Sequence, residues 1–309
     1  MKAEFKNILD VVKHFPDEIT CRNFLAESRW GKTPVCVHCG SFRKIYKVQG
    51  GKLLKCADCR KQFSVRIGTI FEDSALPLQT WFMAIYLLTA HKKGISSVQL
   101  GRDIGVTQKT AWFMLHRIRH AVRTKSFEKP LTGTIEADET YIGGEEKNKH
   151  ANKRTKNNHG RSLKTKTAVF GIRQRGGIVV AQKVDSVSRN TLDGILKSRV
   201  HPDSTIMTDE MNSYTDLSVD FLHHHTINHQ RKEYVRGRVH TNSIESFWAL
   251  LKRGIYGIYH QVSPKHLDKY VDEFEFRFNS KHIADTERFR LMLNHIDGRL
   301  MYKDLTKNS

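Results

Sequence analysis

The sequence is poor in cysteine and has no long hydrophobic segment. Its 309 residues include five Cys, too few for a disulfide-stabilised secreted scaffold. The longest apolar run extends from Trp81 to Leu88 and is far shorter than the roughly 20 residues that a membrane-spanning helix requires. Acidic residues such as Glu4 and Asp10 interrupt the N-terminal segment, which therefore does not resemble a secretory signal. We expect a cytoplasmic protein without a membrane partner.

Acidic residues are in deficit as well. The chain has 52 Lys and Arg against 32 Asp and Glu, which gives a formal net charge of +20 at pH 7 with His neutral. This excess indicates a polyanionic partner. Nucleic acid is favoured over a membrane surface because no basic amphipathic anchor helix is present; a basic protein that is merely soluble is the alternative. At about 100–200 residues per domain, the length predicts two or three compact units.

Four of the five cysteines form two pairs with C-x2-C spacing. Cys36 and Cys39 precede β-type runs, and Cys56 and Cys59 lie among them. This spacing is typical of a zinc ribbon, in which four thiolates close a tetrahedral, structural Zn²⁺ site. A pair of redox-active dithiols is the alternative. The remaining Cys21 lies in a predicted helix, and we interpret it as a small buried hydrophobic residue.

The segment from residue 96 to about 122 has the pattern of a helix-turn-helix. Leu100 and Ile104 share one helical face, Gly105 marks the turn, and Thr107 can cap the next helix. In such a motif the second helix enters the major groove of DNA, although a plain helical bundle has a similar pattern. Gly101 weakens the first helix by about 1 kcal/mol relative to Ala. The candidate DNA contacts are Gln108, Lys109, Arg117 and Arg119.

Carboxylates recur in the C-terminal half, where β-type runs alternate with helices and predict an α/β domain. Asp138 lies in a β-type run, Asp209 ends another, and Glu245 begins a helix. Oxygen ligands from such acids can hold two Mg²⁺ or Mn²⁺ ions about 3.5–4 Å apart. Lys252 lies within 20° of Glu245 on the same helical face, two turns along. We therefore expect a phosphate-processing metal site.

Each acid also has a simpler explanation. Glu136, on the same strand face as Asp138, could be the ligand instead. Asp209 could cap the helix that follows it. Glu245 could bond back to Asn242 in a capping box. The periodic aromatic residues of the last long helix, Tyr270, Phe274 and Phe278, are interpreted as core.

The chain resembles the zinc-ribbon DDE transposases of bacterial insertion sequences, the group related to the eukaryotic Merlin elements, from about Asp17 to Asn279. The likeness rests on these segments: Arg-Trp at 29–30, Cys-Arg-Lys-Gln-Phe at 59–63, Gly-Thr-Ile-Phe at 68–71, Ala-Asp-Glu-Thr-Tyr-Ile-Gly-Gly at 137–144, Thr-Asp-Glu at 208–210 and Thr-Asn-Ser-Ile-Glu-Ser-Phe-Trp at 241–248. It departs at Val37, where Pro is usual, and at Gly101, where Ala is expected.

This resemblance implies a ribonuclease-H-like catalytic domain, in which Asp138, Asp209 and Glu245 match the three metal-binding acids and Lys252 the accompanying basic residue. It implies a transposase that binds the terminal inverted repeats of an insertion sequence, then cuts and rejoins the DNA ends. A non-catalytic DNA-binding regulator and a structure-specific nuclease of the same fold are the alternatives. Two DNA ends must meet, so we expect at least a homodimer on the bacterial nucleoid.

Together these observations predict a multidomain α+β protein. A mobile basic loop is expected at 145–167. The predicted divisions are N-terminal helices at 1–34, a zinc ribbon at 35–75, a helix-turn-helix domain at 78–125, a ribonuclease-H-like α/β catalytic domain at 131–297 and a loose tail at 298–309.

Overall fold

The computed structural model forms two compact units, Met1–Thr124 with Lys281–Ser309, and Lys125–Ser280. None of the helices in the described part of the chain has the length and apolarity needed to span a membrane. The structure describes residues 4–122, 129–144, 148–155, 162–215, 217–228, 231, 233 and 235–307.

The first unit begins with two capped helices followed by a small sheet. Helices α1 (Ile8–His14) and α2 (Glu18–Trp30) start where the side chains of Asn7 and Asp17 accept backbone N–H bonds. Strands β1 (Ile45–Val48), β2 (Leu53–Cys56) and β3 (Gln62–Phe63) then form an antiparallel sheet in that order. Cys21 is fully buried in α2, as expected, and burial raises the pKa of its thiol to about 12.

The C-terminal segment completes the core of this first unit. Helix α3 (Leu78–Ala90) packs against α9 (Asp285–Leu293), and Phe82 and Phe289 lie with ring centroids 5.7 Å apart. The short helix α10 (Tyr302–Thr306) follows and buries Leu305.

The predicted end of the catalytic domain at 297 and the loose tail from 298 therefore differ from the structure. Residues 281–309 belong to the first unit. Backbone bonds secure them: Ile70 N–H donates to the Ile296 carbonyl, and Gly298 N–H donates to that of Gly68. Helical periodicity predicted α9 but could not indicate which core its apolar face enters.

The expected helix pair is present as α4 (Ser97–Ile104) and α5 (Gln108–Val122), joined through Gly105 at φ +69°. Two of the four candidate DNA contacts on α5 are buried, which corrects their assignment. Arg117 donates to the backbone carbonyls of Ile70, Glu72 and Leu300 at 2.9–3.0 Å, and Arg119 is 1% exposed. Gln108 and Lys109 are exposed.

Gly101 occupies a position in α4 where a side chain has no room. A Cβ atom there would lie 2.8 Å from the carbonyl oxygen of Val106. Val106 in turn donates its N–H to the Gly101 carbonyl at 2.9 Å. These two backbone segments approach closely and close the turn between α4 and α5. Glycine is favoured at position 101 because a side chain would prevent that approach.

Gly101→Ala should destabilise the protein, even though helix propensity alone favours Ala by about 1 kcal/mol. The clash is with backbone, so we expect a net loss of about 1–2 kcal/mol, in the range of overpacking costs. Urea unfolding measures it. The matched control is Gly194→Ala, a helical position with open space around the glycine, which should gain stability. A stabilised Gly101→Ala variant would contradict the close approach.

The second unit is built on a five-stranded mixed sheet in the order β6-β5-β4-β7-β8. Strand β4 pairs antiparallel with β5 and parallel with β7; β5 and β6 are antiparallel, and β7 and β8 are parallel. The strands are β4 (Thr134–Ile142), β5 (Thr167–Gln174), β6 (Val179–Val184), β7 (Thr205–Asp209) and β8 (His223–Ile227).

Helices cover both faces of this sheet. Helix α6 (Arg189–Arg199) packs on one face through Leu192 and Leu196. Helices α7 (Asn242–Gly254) and α8 (Leu267–Asn279) lie on the other. Tyr270, Phe274 and Phe278 of α8 are buried, as their periodicity predicted.

Helix α8 also protects the edge of the sheet. Strand β6 is an edge strand, whose unpaired N–H groups would otherwise invite pairing with another chain. Alternate N–H groups of this strand donate to α8 side chains: Val179 to Asn279, Ala181 to Glu275 and Lys183 to Asp268, at 2.8–2.9 Å. The edge is therefore satisfied within the unit.

Candidate active site

The position of α7 on the sheet is fixed by the buried carboxylate of Glu136. One of its oxygens accepts the N–H groups of Ser243 and Ile244, at 2.8 and 3.0 Å. The other accepts the Arg175 guanidinium at 2.6 Å. A carboxylate at a helix N-terminus is stabilised by free N–H donors and by the helix dipole. Glu136 is thereby committed to α7, which removes it as an alternative to Asp138.

Three carboxylates meet beside this helix. Asp138, Glu139 and Asp209 each offer an oxygen, and these oxygens lie within 4.8 Å of one another. Asp209 ends β7, which pairs in parallel with β4, so the two strands bring Asp209 to the level of Asp138. One oxygen of Asp209 accepts the N–H of Met211 at 3.0 Å. Crowded oxygen donors of this kind suit a divalent cation.

The electrostatics of the cluster show the cost of bringing these acids together. Burial and the neighbouring charges of Glu139 and Asp209 raise the pKa of Asp138 to about 8. Lys252 on α7 is close enough for Asp138 to act on it: burial lowers the pKa of Lys252, and Asp138 opposes that effect. The cluster therefore favours a proton or a metal cation at neutral pH.

Trp248 of α7 fixes one oxygen of Asp138. Its indole Nε1 donates to Asp138 Oδ2 at 2.9 Å. The ring reaches that oxygen because Gly171, the β5 partner of Asp138, has no side chain: a Cβ there would lie 2.6 Å from Trp248 Cη2. This hydrogen bond fixes the orientation of the Asp138 carboxylate.

Glu139 reaches the cluster from the opposite face of the sheet. Its Oε2 accepts the hydroxyl of Tyr214 at 2.6 Å. Tyr214 is buried, and this burial, together with the nearby charge of Glu139, raises the pKa of its hydroxyl well above the ordinary value. Glu139 was not among the predicted site residues, since strand alternation places it on the sheet face opposite Asp138. Its adjacency to Asp138 near a strand end was the available signal.

In this structure Glu245 is not one of the described acids that converge with Asp138 and Asp209. This corrects the prediction that the three meet. Its side chain is exposed, and Thr241 donates its hydroxyl to Glu245 Oε1 at 3.3 Å. The helix begins at Asn242 with Thr241 as its N-cap, so the capping box with Asn242 is not formed either. It is Trp248, three residues further along α7, whose side chain contacts Asp138.

The four cysteines of the two C-x2-C pairs converge in the first unit. Their sulfur atoms lie within 4.8 Å of one another, with Cys36 and Cys59 3.6 Å apart and Cys39 and Cys56 3.7 Å apart. A tetrahedron of thiolates about 2.3 Å from a zinc ion has sulfur–sulfur edges of about 3.8 Å. The donor set therefore fits a closed Zn²⁺ site.

The two other candidate DNA contacts, Gln108 and Lys109, lie on α5. Lys109 Nζ lies 5.0 Å from the centroid of the Tyr302 ring, and Gln108 donates to the Ser97 hydroxyl at 2.9 Å. Both side chains nevertheless stay at the surface of α5. The predicted basic loop at 145–167 lies partly outside the described residues, at 145–147 and 156–161.

Asp138→Asn should stabilise the protein in buffer without added divalent cation. The pKa of Asp138 in the folded chain, about 8, exceeds its unfolded value near 4, so stability falls as the pH rises between these values. We expect the melting temperature of the variant to exceed that of wild type by a few degrees at pH 8 and to match it at pH 4.

Thermal melts across this pH range test the expectation, with the exposed Asp185→Asn as control. Asp185 lies in the same unit and is almost fully exposed, so its replacement should leave the pH dependence unchanged. An Asp138→Asn variant whose melting temperature follows wild type at every pH would contradict the crowding of the three acids.

Family models and relatives agree on one kind of protein. The model described as "ISXO2-like transposase domain" matches residues 130–279, and the "Transposase zinc-ribbon domain" matches residues 16–62. An uncharacterized protein in transposable element ISH50 of Halobacterium salinarum is 30% identical over 286 residues, which cover 86% of this chain and 92% of that protein.

A shorter match is an uncharacterized transposase-like protein of Haemophilus influenzae, 33% identical over 100 residues, which cover 32% of this chain and 80% of that protein. Among solved structures, the Mos1 strand transfer complex is similar at 12% identity and a TM-score of 0.28, covering 70% of this chain and 74% of that one. The family models and the long match to the ISH50 protein show that this chain belongs to the ISXO2-like transposases of insertion sequences.

Proposed function

We propose that this transposase binds the terminal inverted repeats of its insertion sequence, cuts the DNA strands at those ends and joins them to a target. The observation that carries the proposal is the cluster of Asp138, Glu139 and Asp209 on the adjacent strands β4 and β7 of the sheet. We assign the mixed sheet of the second unit to the ribonuclease-H-like fold that the sequence resemblance implied.

Asp138 and Asp209 are the proposed ligands for two Mg²⁺ or Mn²⁺ ions, and the four cysteines hold a structural Zn²⁺. Bound at the carboxylates, the divalent ions would supply activation of the attacking oxygen and neutralisation of charge on the phosphate. Trp248 orients Asp138 through Oδ2. Lys252, near Asp138 and half-buried, is placed to hold a DNA phosphate at the site.

Glu245 is our proposed third ligand. Glu139 has one oxygen fixed by Tyr214 on the opposite sheet face, whereas Glu245 is exposed on the first turn of α7. Trp248 of the same helix contacts Asp138, and we propose that Glu245 joins the site through a change of rotamer when the metal binds. Glu139 then acts through charge, by keeping the cluster attractive to cations.

Substitutions that keep side-chain size separate these two acids. Glu245→Gln should lower Mg²⁺-dependent cleavage of a duplex carrying the terminal repeat by about 100-fold or more, as Asp138→Asn and Asp209→Asn should. Glu139→Gln, the matched control, should stay within about tenfold of wild type. Gel assays of strand cleavage and strand joining measure both.

The same assay decides between the functional alternatives. Cleavage without joining would indicate a structure-specific nuclease, and DNA binding without cleavage would indicate a regulator. Loss of cleavage in Glu139→Gln together with full activity in Glu245→Gln would reverse the assignment of the third ligand.

DNA recognition is proposed for the surface of α5 and for the zinc ribbon. Gln108 and Lys109 lie exposed in the first turn of α5, where a helix-turn-helix meets base edges and phosphates. The net charge of +20 favours such a polyanion. At least two copies of the chain are expected on DNA, since two ends must be joined.

Lys109→Ala should weaken DNA binding and reduce the slope of log affinity against log salt by about 1, because one phosphate contact releases about one counterion. Fluorescence anisotropy at several salt concentrations measures the slope. Lys13→Ala removes the same charge from the exposed side of α1 and should leave the slope unchanged. Equal slopes for Lys109→Ala and Lys13→Ala would exclude α5 as the reading helix.

A further inference from the structure

A cavity of about 760 Å³ lies in the second unit, with Lys252 of α7 in its lining. The end of β4, the start of β5, the last turn of α7 and the following π-helix (Ile255–Tyr259) enclose it. Its size is within the range of about 300–1,000 Å³ that is usual for sites holding small organic molecules. Neither the catalytic acids nor the proposed DNA-reading helix accounts for it.

Two lysines give this cavity the character of an anion site. Lys166 and Lys252 both line it, and they are close enough for the Lys166 charge to act on the Lys252 ammonium. Lys252 also interacts with Asp138, so the cationic wall adjoins the carboxylate cluster. Two like charges facing one cavity favour a phosphate between them.

The opposite wall combines an aromatic ring with apolar side chains. Tyr256 is 45% exposed, and its hydroxyl is held by the backbone of Gly143, donating to the carbonyl at 3.2 Å. Val262 and Leu267 add apolar surface to the lining. A partly exposed ring that lines the cavity and is fixed at its hydroxyl end suits stacking with a planar heterocycle.

The backbone of this wall is unusual in two ways. Residues Ile255–Tyr259 form a π-helix directly after α7, a rare element that is frequent at functional sites. His260, which follows it and lines the cavity, has φ +59° and ψ −50°, a conformation that costs a non-glycine residue free energy. The chain thus maintains a strained wall where the cavity opens.

From these features we infer that the cavity receives one unpaired nucleotide of the DNA strand that is cut at Asp138 and Asp209. Its phosphate lies between Lys166 and Lys252, and its base lies against Tyr256. The inference rests on the proposed function. It specifies the conformation of the DNA substrate: a base next to the scissile phosphate leaves the duplex stack before cleavage. Favourable stacking and phosphate contacts offset the cost of unstacking it.

The test uses the full chain and a duplex carrying the terminal repeat that borders its gene. Single positions of the cut strand within three nucleotides of the cleavage point receive, in turn, an abasic residue, a methylphosphonate linkage or 2-aminopurine. Affinities are measured in Ca²⁺ for wild type, Tyr256→Ala and Lys166→Ala. Lys265→Ala serves as the charge-matched control, since Lys265 is exposed in the same unit and is not part of the cavity lining.

At one position we expect the abasic residue to weaken binding to wild type and to Lys265→Ala by about tenfold. Tyr256→Ala should bind intact and abasic DNA equally. The methylphosphonate should likewise weaken wild type but not Lys166→Ala, which is the coupling that a direct contact produces. The fluorescence of 2-aminopurine at the same position should rise on binding to wild type.

Two sets of results overturn the inference and remain distinguishable. If wild type cleaves the duplex in Mg²⁺ but binding is insensitive to the abasic residue at every position, the cavity does not receive a nucleotide. The transposase proposal would then remain intact. A wild-type chain that neither binds nor cuts the repeat would contradict both. If Tyr256→Ala fails to fold, the coupling between Lys166→Ala and the methylphosphonate is the remaining test. Absence of that coupling would contradict the inference that the cavity binds a nucleotide.

Discussion

The close approach of three carboxylates is the constraint on which the site in the second unit depends. The paired strands β4 and β7 carry Asp138, Glu139 and Asp209, and one carboxylate oxygen from each lies within 4.8 Å of the others. Burial is the largest cause of the raised pKa of Asp138, and the neighbouring charges of Glu139 and Asp209 raise it further. A divalent cation bound at the proposed site would relieve the repulsion between these charges without protonating any of the three acids.

The remaining parts of the site follow from where α7 begins. Strand alternation directs both Glu136 and Asp138 toward this helix, and Glu136 anchors its first N–H groups. One turn later Trp248 enters the space above Gly171 and binds Asp138, and a further turn places Lys252 beside the same acid. The buried carboxylate of Glu136 thus fixes the position of α7, and with it the positions of Trp248 and Lys252 relative to the cluster.

Features encoded locally were predictable from the sequence. The spacing of Cys36, Cys39, Cys56 and Cys59 predicted their convergence, because each pair needs only a tight turn. The position of Asp209 at a strand end predicted its place beside Asp138.

Long-range packing was not predictable. The buried role of Arg117 depends on carbonyls far along the chain. Neither the burial of Arg119 nor the docking of α9 is encoded in helical periodicity. Glu139 was not predicted, since strand alternation places it on the other sheet face from Asp138. Glu245 was expected in the cluster because it matches the third acid of the family that the chain resembles, and a match of sequence motifs does not determine a rotamer.

The most direct test of a cation site at these acids is anomalous X-ray diffraction from crystals of the full chain soaked in Mn²⁺. The account predicts a manganese peak within about 2.3 Å of carboxylate oxygens from both Asp138 and Asp209, and its absence from crystals of Asp209→Asn. Manganese bound only elsewhere on the molecule, or ordered Asp138 and Asp209 carboxylates without a peak at saturating Mn²⁺, would contradict it.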